Sequence, residues 1–381
     1  VKRSVYDDDH EAFRDSAREF LRREVIPHVD DHARNHELGR DLWLAAGKQG
    51  LLGLEIPERF GGAEAGDWRF NAVLVEELAA VNLALASCLS IHFDVVAGYL
   101  VGLTTDEQKA RWLPGIASGE KVAAIAMTEP SGGSDLAALR TTAVRGDGGW
   151  VINGSKTFIT NGYSADLVLV AARTTTGAGA RGISLFVVEG GTPGFSRGRR
   201  LDKVGMPESD TAELVFEDVA VPEENLVGQL DQGFRHMMVN LPRERIGAAV
   251  SNLAHARAVL DETLVYVKDR QAFGQPVGSF QHNKFLLADL VTRAEVTQAY
   301  VDQCVAAHAD DDLTAVEAAK AKWWTADVQG QILDACLQLH GGYGYMNEYR
   351  VARAWKDARV TRIWAGSNEI MKEIIGRDLG L

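Results

Sequence analysis

Cysteine is scarce in this chain of 381 residues: Cys88, Cys304 and Cys336 stand far apart, in apolar and helical-looking contexts. No C-x-x-C pair occurs, which speaks against a zinc site and against a disulfide framework. A reduced compartment, the cytoplasm, is the expectation. Positive charge is in deficit too. Lys and Arg number 40 against 53 Asp and Glu, and the net charge of −13 argues against nonspecific nucleic-acid binding, which needs basic surface for phosphates. No stretch approaches about 18 uninterrupted apolar residues, so no membrane insertion is expected. The opening Val1-Lys-Arg-Ser-Val-Tyr-Asp-Asp-Asp lacks the apolar core of a signal peptide. His92 and His340 have no metal-spaced partners and read as structural, so no metal site is expected.

What is present is the composition of a soluble globular protein, 46% hydrophobic and 24% charged, with ample length for a large core. From Asp8 to about Gly119 the pattern is helical: Phe13, Ala17, Phe20 and Leu21 recur at three-to-four spacing behind acidic residues. Thr105-Asp-Glu-Gln108 has the form of a capping box. The middle differs. Leu167–Ala171, Ile183–Val188 and Leu214–Phe216 are short β-prone runs bounded by Gly, Asp or Pro, and Gly146-Asp-Gly-Gly149 reads as a hairpin turn. From Gln232 onward Val250, Leu253, Leu260, Leu264 and Val267 mark one buried face of a long helix, and segments near 281–308, 314–339 and 367–378 look alike. The expectation is an α+β fold, mainly α. A helical domain at 1–120 precedes a middle β-domain at 121–230 and a C-terminal helical bundle at 231–381.

The run Ala126-Met-Thr-Glu-Pro-Ser-Gly-Gly-Ser-Asp135 follows a short apolar strand-like segment. Gly132 and Gly133 permit backbone angles that let a chain curl and aim N–H groups at one point. Thr128, Ser131 and Ser134 add hydroxyls, and no Lys or Arg stands nearby in the run, which suits an anionic or carbonyl-rich cofactor. On these ten residues alone an ordinary Gly/Ser turn would read the same.

Five further segments decide between them: Lys156-Thr-Phe-Ile-Thr-Asn-Gly162, Asp210-Thr-Ala-Glu-Leu-Val-Phe-Glu-Asp-Val-Ala-Val-Pro222, Arg270-Gln-Ala-Phe-Gly274, Gln338-Leu-His-Gly-Gly-Tyr-Gly-Tyr345 and Ile363-Trp-Ala-Gly-Ser-Asn-Glu-Ile370. In order and spacing, over essentially the whole chain, the six segments resemble those of the acyl-CoA dehydrogenase family. The resemblance implies the three-domain order above, FAD as cofactor, and an acyl thioester that loses an α-proton to a carboxylate while the β-hydrogen leaves as hydride to flavin N5.

In many members the base is a Glu just before the Gly of the last segment. Here that position is Ala365, which cannot take a proton. The isovaleryl-type and long-chain-type branches carry the Glu instead on the first helix of the bundle, before an Arg, and Leu241-Pro-Arg-Glu-Arg-Ile246 puts Glu244 there. An isolated Arg-Glu-Arg is ordinarily a solvated charge cluster; the resemblance and the missing Glu at 365 make Glu244 the expected base. Arg245 is expected to support the substrate. By the same resemblance the Ala365 N–H helps hold the thioester carbonyl, and Trp364 lies near the acyl pocket, whose far end Ala86 to His92 would line. Thr128 meets the isoalloxazine edge, Gly133 and Ser134 the flavin and thioester, Phe158 the ring face, and Thr160 the region of N5. Arg270, Phe273, Gln281, Gln338, Gly341 and Gly342 would grip the pyrophosphate and adenosine half, partly from a neighbouring subunit of a homotetramer. Ser367, opening the last helix, would favour an anion. Pro207 departs from the Arg common in relatives.

An acyl-CoA dehydrogenase passing electrons to an electron-transfer flavoprotein is thus the leading expectation. An acyl-carrier-protein thioester in place of CoA, a flavin oxidase or monooxygenase on the same fold, and a non-catalytic scaffold homologue are the alternatives.

Overall fold

The structure is a computed structural model describing residues 3–381; Val1 and Lys2, where the reading of the N-terminus starts, lie outside the described residues. The chain opens with α1 (Asp8–Phe20), α2 (Val29–Asn35), α3 (Arg40–Lys48), α4 (Arg69–Val81), α5 (Leu83–Ser90), α6 (Ala97–Leu103) and α7 (Asp106–Ser118). Ala17, Phe20 and Leu21 are buried as their spacing predicts. At α7 the capping box forms: the Gln108 N–H donates to Thr105 Oγ1 (3.3 Å) and the Thr105 N–H to Gln108 Oε1 (2.9 Å). Thr105→Ala is expected to cost about 1 kcal/mol and lower the Tm, with Thr105→Ser restoring it.

With a π-helical turn at Ile91–Val96, α5 and α6 make a single stretch, Leu83–Leu103, that is long and apolar enough by length and composition to cross a membrane. Ser87, Ser90, His92 and Asp94 interrupt it, so it holds no unbroken apolar run of about 18 residues. Most of the stretch is buried inside the fold.

The middle of the chain forms β1 (Ala123–Ala126), β2 (Thr142–Gly146), β3 (Gly149–Ile159), β4 (Leu167–Arg173), β5 (Ile183–Glu189), β6 (Phe195–Arg200), β7 (Ala212–Pro222) and β8 (Leu226–Val227). They make one sheet in the order β6-β7-β3-β2-β4-β5-β8, with β1 pairing parallel to β4. Gly146 pairs with Gly149 across the expected hairpin turn, whose Gly148 takes φ +79°. Both faces of β4 are covered, which explains its unbroken apolar run. Leu167, Leu169 and Ala171 pack toward the N-terminal helices, while Val168, Val170 and Ala172 join Trp150, Phe186 and Phe216 on the other side.

The C-terminal part comprises α8 (Gly233–Asp269), a hairpin of β9 (Gln271–Ala272) and β10 (Gln275–Pro276), α9 (Gln281–Ala309), α10 (Ala315–His340), α11 (Arg350–Ala358) and α12 (Asn368–Asp378). Val250, Leu253, Leu260 and Val267 are buried along α8, with Leu264 partly so. Helix α11 escaped the sequence reading: it is short, and Arg350, Arg353 and Lys356 dilute its apolar face of Val351, Ala352, Ala354 and Ala358. The fold is mainly α, helices on either side of a central sheet in chain order, as expected.

Candidate active site

The loop after β1 is built differently from its sequence reading. Neither Gly132 nor Gly133 adopts a left-handed backbone. Instead Glu129 and Gly132 exchange two main-chain hydrogen bonds (3.0 and 3.1 Å), so the Gly132 N–H is used within the turn. Nor is the loop without a cation. Lys156 of β3, fully buried, donates to Glu129 Oε1 (2.9 Å) and to the Met127 carbonyl (3.0 Å). Glu129 also accepts the N–H groups of Arg140 (2.6 Å) and Thr141 (2.9 Å). Burial alone would push this carboxyl up; the Lys156 ammonium and the N–H donors outweigh it and hold the pKa down at about 2. The Thr157 N–H donates to the Thr128 carbonyl (3.0 Å), tying the loop to the end of β3 that carries Phe158 and Thr160. Thr128 lies against Gly133, where a Cβ would meet its Cγ2 at 3.1 Å. Phe158 sits at φ +60° and is 68% exposed, an aromatic face presented outward beside these hydroxyls.

The second group converges on α8. Glu244 Oε1 accepts a hydrogen bond from the Tyr99 hydroxyl of α6 (3.1 Å). Burial pushes the Glu244 carboxyl up to about 7 against the opposing pull of Tyr99 and Arg245; Asp94 adds to the rise. Behind it, Asp94 is buried and accepts from Trp68 (2.8 Å), Asn71 (2.8 Å) and Arg243 (2.7 and 3.0 Å), and Arg243 also reaches Glu55. Arg243 and Arg245, on either side of Glu244, differ: Arg243 pairs with Asp94 and Glu55, while buried Arg245 leaves its Nε–H without an acceptor among the described residues.

The turn before α12 completes this group. Ala365 and Gly366 both take positive φ, +51° and +87°. The Ala365 N–H donates to no protein acceptor among the described residues. Lys322 of α10 donates to the Gly366 carbonyl (2.6 Å). Ser367 caps α12, its hydroxyl oxygen accepting from the Ile370 N–H (3.4 Å), so that lone pair is engaged within the protein. Trp364 packs with Val360 on Leu83, Ala84 and Met206, and its indole N–H has no partner. Nothing in the structure explains Pro207.

A third group lies at the end of α10. Arg270, Gln338, Gly341 and Gly342 line a groove of about 490 Å³ together with Tyr266 and Tyr343. The Arg270 guanidinium sits 5.3 Å above the Tyr343 ring, and a Cβ at Gly341 or Gly342 would meet nothing within 4 Å, leaving bare backbone open to a ligand. Phe273 and Gln281 stand outside this groove: Phe273 is 96% exposed at the tip of the β9–β10 hairpin, and Gln281 is exposed at the start of α9. A cation, open glycines and an outward aromatic are what phosphate and a flat ring system require, and these residues fit FAD.

His92 is held inside the fold, and His340 is packed within the C-terminal part while also lining the groove at the end of α10. His92 Nδ1 accepts the Ala123 N–H (3.1 Å) and its Nε2 meets the Ile116 carbonyl (3.0 Å), and burial lowers its pKa to about 4. His340 meets the Thr263 hydroxyl (3.2 Å) and stacks on Tyr266 at 4.0 Å. Tyr99, the Arg243–Asp94–Glu55 cluster, Lys322 and the Glu129–Lys156 pair went unrecognised in the sequence. Of these, Glu129, Lys156 and Arg243 lie within segments that the sequence marks out.

Comparison with known proteins accounts for this combination. Models of the N-terminal, middle and C-terminal domains of acyl-CoA dehydrogenase match residues 7–120, 124–219 and 231–380. The mitochondrial long-chain specific acyl-CoA dehydrogenase of Mus musculus is 45% identical over 379 residues, covering 99% of this chain and 88% of that protein. The crystal structure of acyl-CoA dehydrogenase from Geobacillus kaustophilus superposes with a TM-score of 0.98 at 42% identity, over 100% of both chains. A chain solved in work on the electron transferring flavoprotein of Acidaminococcus fermentans and flavin-based electron bifurcation gives 0.94 at 36% identity, over 98% of each. The chain belongs to the acyl-CoA dehydrogenase family. It is an FAD-dependent oxidoreductase of that family's chemistry, the flavin-dependent dehydrogenation of acyl-CoA.

Proposed function

We propose that this enzyme introduces an α,β double bond into a long-chain acyl-CoA, with Glu244 as the base that takes the α-proton. The observation that carries the reading is Glu244 itself: a carboxylate held by one hydrogen bond, with a pKa near 7, at the position that replaces the base missing at Ala365. A general base works best with its pKa close to the working pH. Tyr99 engages Oε1 and leaves Oε2 to receive the proton. The Ala365 N–H, without a protein acceptor, donates to the thioester oxygen, where negative charge grows as the α C–H bond breaks. Bound FAD supplies the acceptor for the hydride that leaves the β-carbon. Thr128, Gly133, Ser134, Phe158 and Thr160 hold its ring end, and Arg270, Gln338, Gly341 and Gly342 its phosphate and adenosine end. Trp364, wedged on α5, walls one side of the acyl pocket.

The chain-length assignment draws on the 45% identity to a long-chain specific enzyme. An electron-transfer flavoprotein is the proposed electron acceptor. A homotetramer is the proposed assembly, consistent with Phe273, Phe285 and Tyr345 lying at 96%, 66% and 81% exposure on the C-terminal part. The test is anaerobic flavin bleaching by short, long and branched acyl-CoAs. Bleaching fastest with long straight chains is the expected result. Fastest bleaching by a short or branched chain would overturn the chain-length assignment. No bleaching by any CoA ester, with bleaching by a carrier-bound acyl group, would overturn CoA.

Tyr99→Phe supplies a sharper check on the base. The lost hydrogen bond favours the ionised carboxylate, so the Glu244 pKa rises. The acid limb of kcat/KM should move up by roughly one pH unit, the worth of one hydrogen bond to a charged group. An unmoved limb would mean that Tyr99 does not tune the base.

A further inference from the structure

Lys322 is a fully buried lysine that no carboxylate neutralises. Its Nζ donates to the Gly366 carbonyl (2.6 Å) and lies 3.5 Å from Asn368 Oδ1, and it makes no ion pair among the described residues. Taking an ammonium out of water is costly, and proteins normally answer with an opposite charge. The same molecule shows that answer at Lys156, equally buried but 2.9 Å from Glu129. At Lys322 the neighbour on α8 is a second cation, buried Arg245, which also makes no ion pair among the described residues. Burial and then Arg245 lower the Lys322 pKa to about 8, with Glu369 of α12 opposing them, so the side chain is still largely charged at neutral pH. The fold therefore keeps positive charge, only partly offset by Glu369, against the turn that carries the Ala365 N–H.

We propose that Lys322 is a positioning residue for the reaction: it pins the Gly366 carbonyl, holds the left-handed Ala365–Gly366 turn in place, and stabilises negative charge on the thioester oxygen at the Ala365 N–H. The inference rests on the reading of Ala365 and Glu244 given above. When the α C–H bond breaks, the proton goes to Glu244 and the electron pair spreads onto the thioester oxygen. Lys322 makes and breaks no bond. An ammonium with no carboxylate in contact among the described residues, in a poorly hydrated site, favours an anion nearby far more than one in water would. Asn368 Oδ1 is its only other protein partner among the described residues, and an amide oxygen cancels no charge.

A 3-oxoacyl-CoA tests this without turnover, since it loses its α-proton to give a stable enolate whose stacking on oxidised flavin produces a long-wavelength charge-transfer band. In the holoenzyme Lys322→Met should retain FAD and bind the ligand. Its band should titrate at least one pH unit higher, leaving about tenfold less enolate at a fixed pH on the acid side of the titration. With acyl-CoA its kcat should fall more than its KM changes. Asn368→Asp sets a carboxylate beside the ammonium and should move the titration the same way while the pin to Gly366 remains. An unchanged titration in either variant that retains flavin overturns the proposal. Loss of flavin from both overturns it too, since Lys322 would then serve the fold alone. A wild-type enzyme that shows no band and is bleached by no acyl-CoA refutes the underlying reading of the site instead.

Discussion

Glu244→Gln is expected to lower the rate of acyl-CoA-dependent flavin bleaching by about 10³-fold or more while FAD stays bound, since an amide cannot accept the α-proton and general-base catalysis typically contributes 10²–10⁴. The substitution should leave the geometry intact, because the Tyr99 hydroxyl can donate to a Gln oxygen as it does to Glu244 Oε1. In the wild type the Glu244 pKa near 7 predicts kcat/KM falling as pH drops below 7, as the base fills with a proton. That limb should vanish in whatever residual activity the variant keeps. Stability should move the other way. Glu244 is an acid whose folded pKa lies above its ordinary 4.5, so between about pH 4.5 and 7 the folded state binds more protons than the unfolded. Its burial therefore costs stability increasingly as pH rises through that window, and the full cost stands above pH 7. A neutral Gln escapes it, so the variant should melt no lower than wild type at pH 8. A variant that bleaches at the wild-type rate would remove Glu244 from the mechanism.

Lys156→Met is expected to cost about 3–5 kcal/mol and to release FAD, since it leaves the buried Glu129 carboxylate without its ammonium. Both side chains are almost wholly out of water, so solvent cannot take over from the lost partner. The same lysine also holds the Met127 carbonyl, one residue before Thr128. Loosening it should disorder the loop on which the ring end of the cofactor depends. The pH dependence has a definite sign. Glu129, with its folded pKa held at about 2, contributes stability that is present above its ordinary 4.5 and lost as pH falls toward 2. Deleting the lysine removes that contribution, so the gap in Tm should be widest near neutral pH and narrow in acid. Glu129→Gln added to Lys156→Met should recover part of both Tm and flavin content, because it removes the unpaired buried charge and its one amide oxygen can still accept the N–H of Arg140 or of Thr141. A single variant with wild-type Tm and a full complement of FAD would show that the pair is dispensable.

Much of this was legible in the sequence, for local reasons. The Thr105 capping box, the Asp147-Gly148 turn and the α8 stripe each depend on residues a few positions apart, and each formed as read. The substitution of Ala365 for a base, with Glu244 at the alternative position, was likewise visible as a pattern. What stayed hidden was chemistry joining distant parts of the chain. Tyr99 and Glu244 are 145 residues apart, and Lys322 and Gly366 are 44 apart; neither tyrosine nor lysine carries a local mark of its partner. The loop after β1 shows a subtler miss. Its glycines suggested left-handed freedom, yet neither uses it, because a two-bond bridge and a buried ion pair shape the turn instead. Helix α11 was lost to its own arginines.

The parallel pairing of β1 with the doubly covered strand β4 also sets an order of opening. Backbone amides exchange with solvent through local fluctuations where contacts are few, and only through global unfolding where they are many. Those of Ala124, Val168 and Val170 are fully buried, whereas those of Thr174 to Arg181 lie in the segment that connects β4 to β5. The loop bearing Thr128 springs from the slow-exchanging side. Transient fraying of the surface helices should therefore leave the ring end of the flavin site closed, and cofactor loss on the timescale of such fraying should begin at the open groove of Arg270, Gly341 and Gly342.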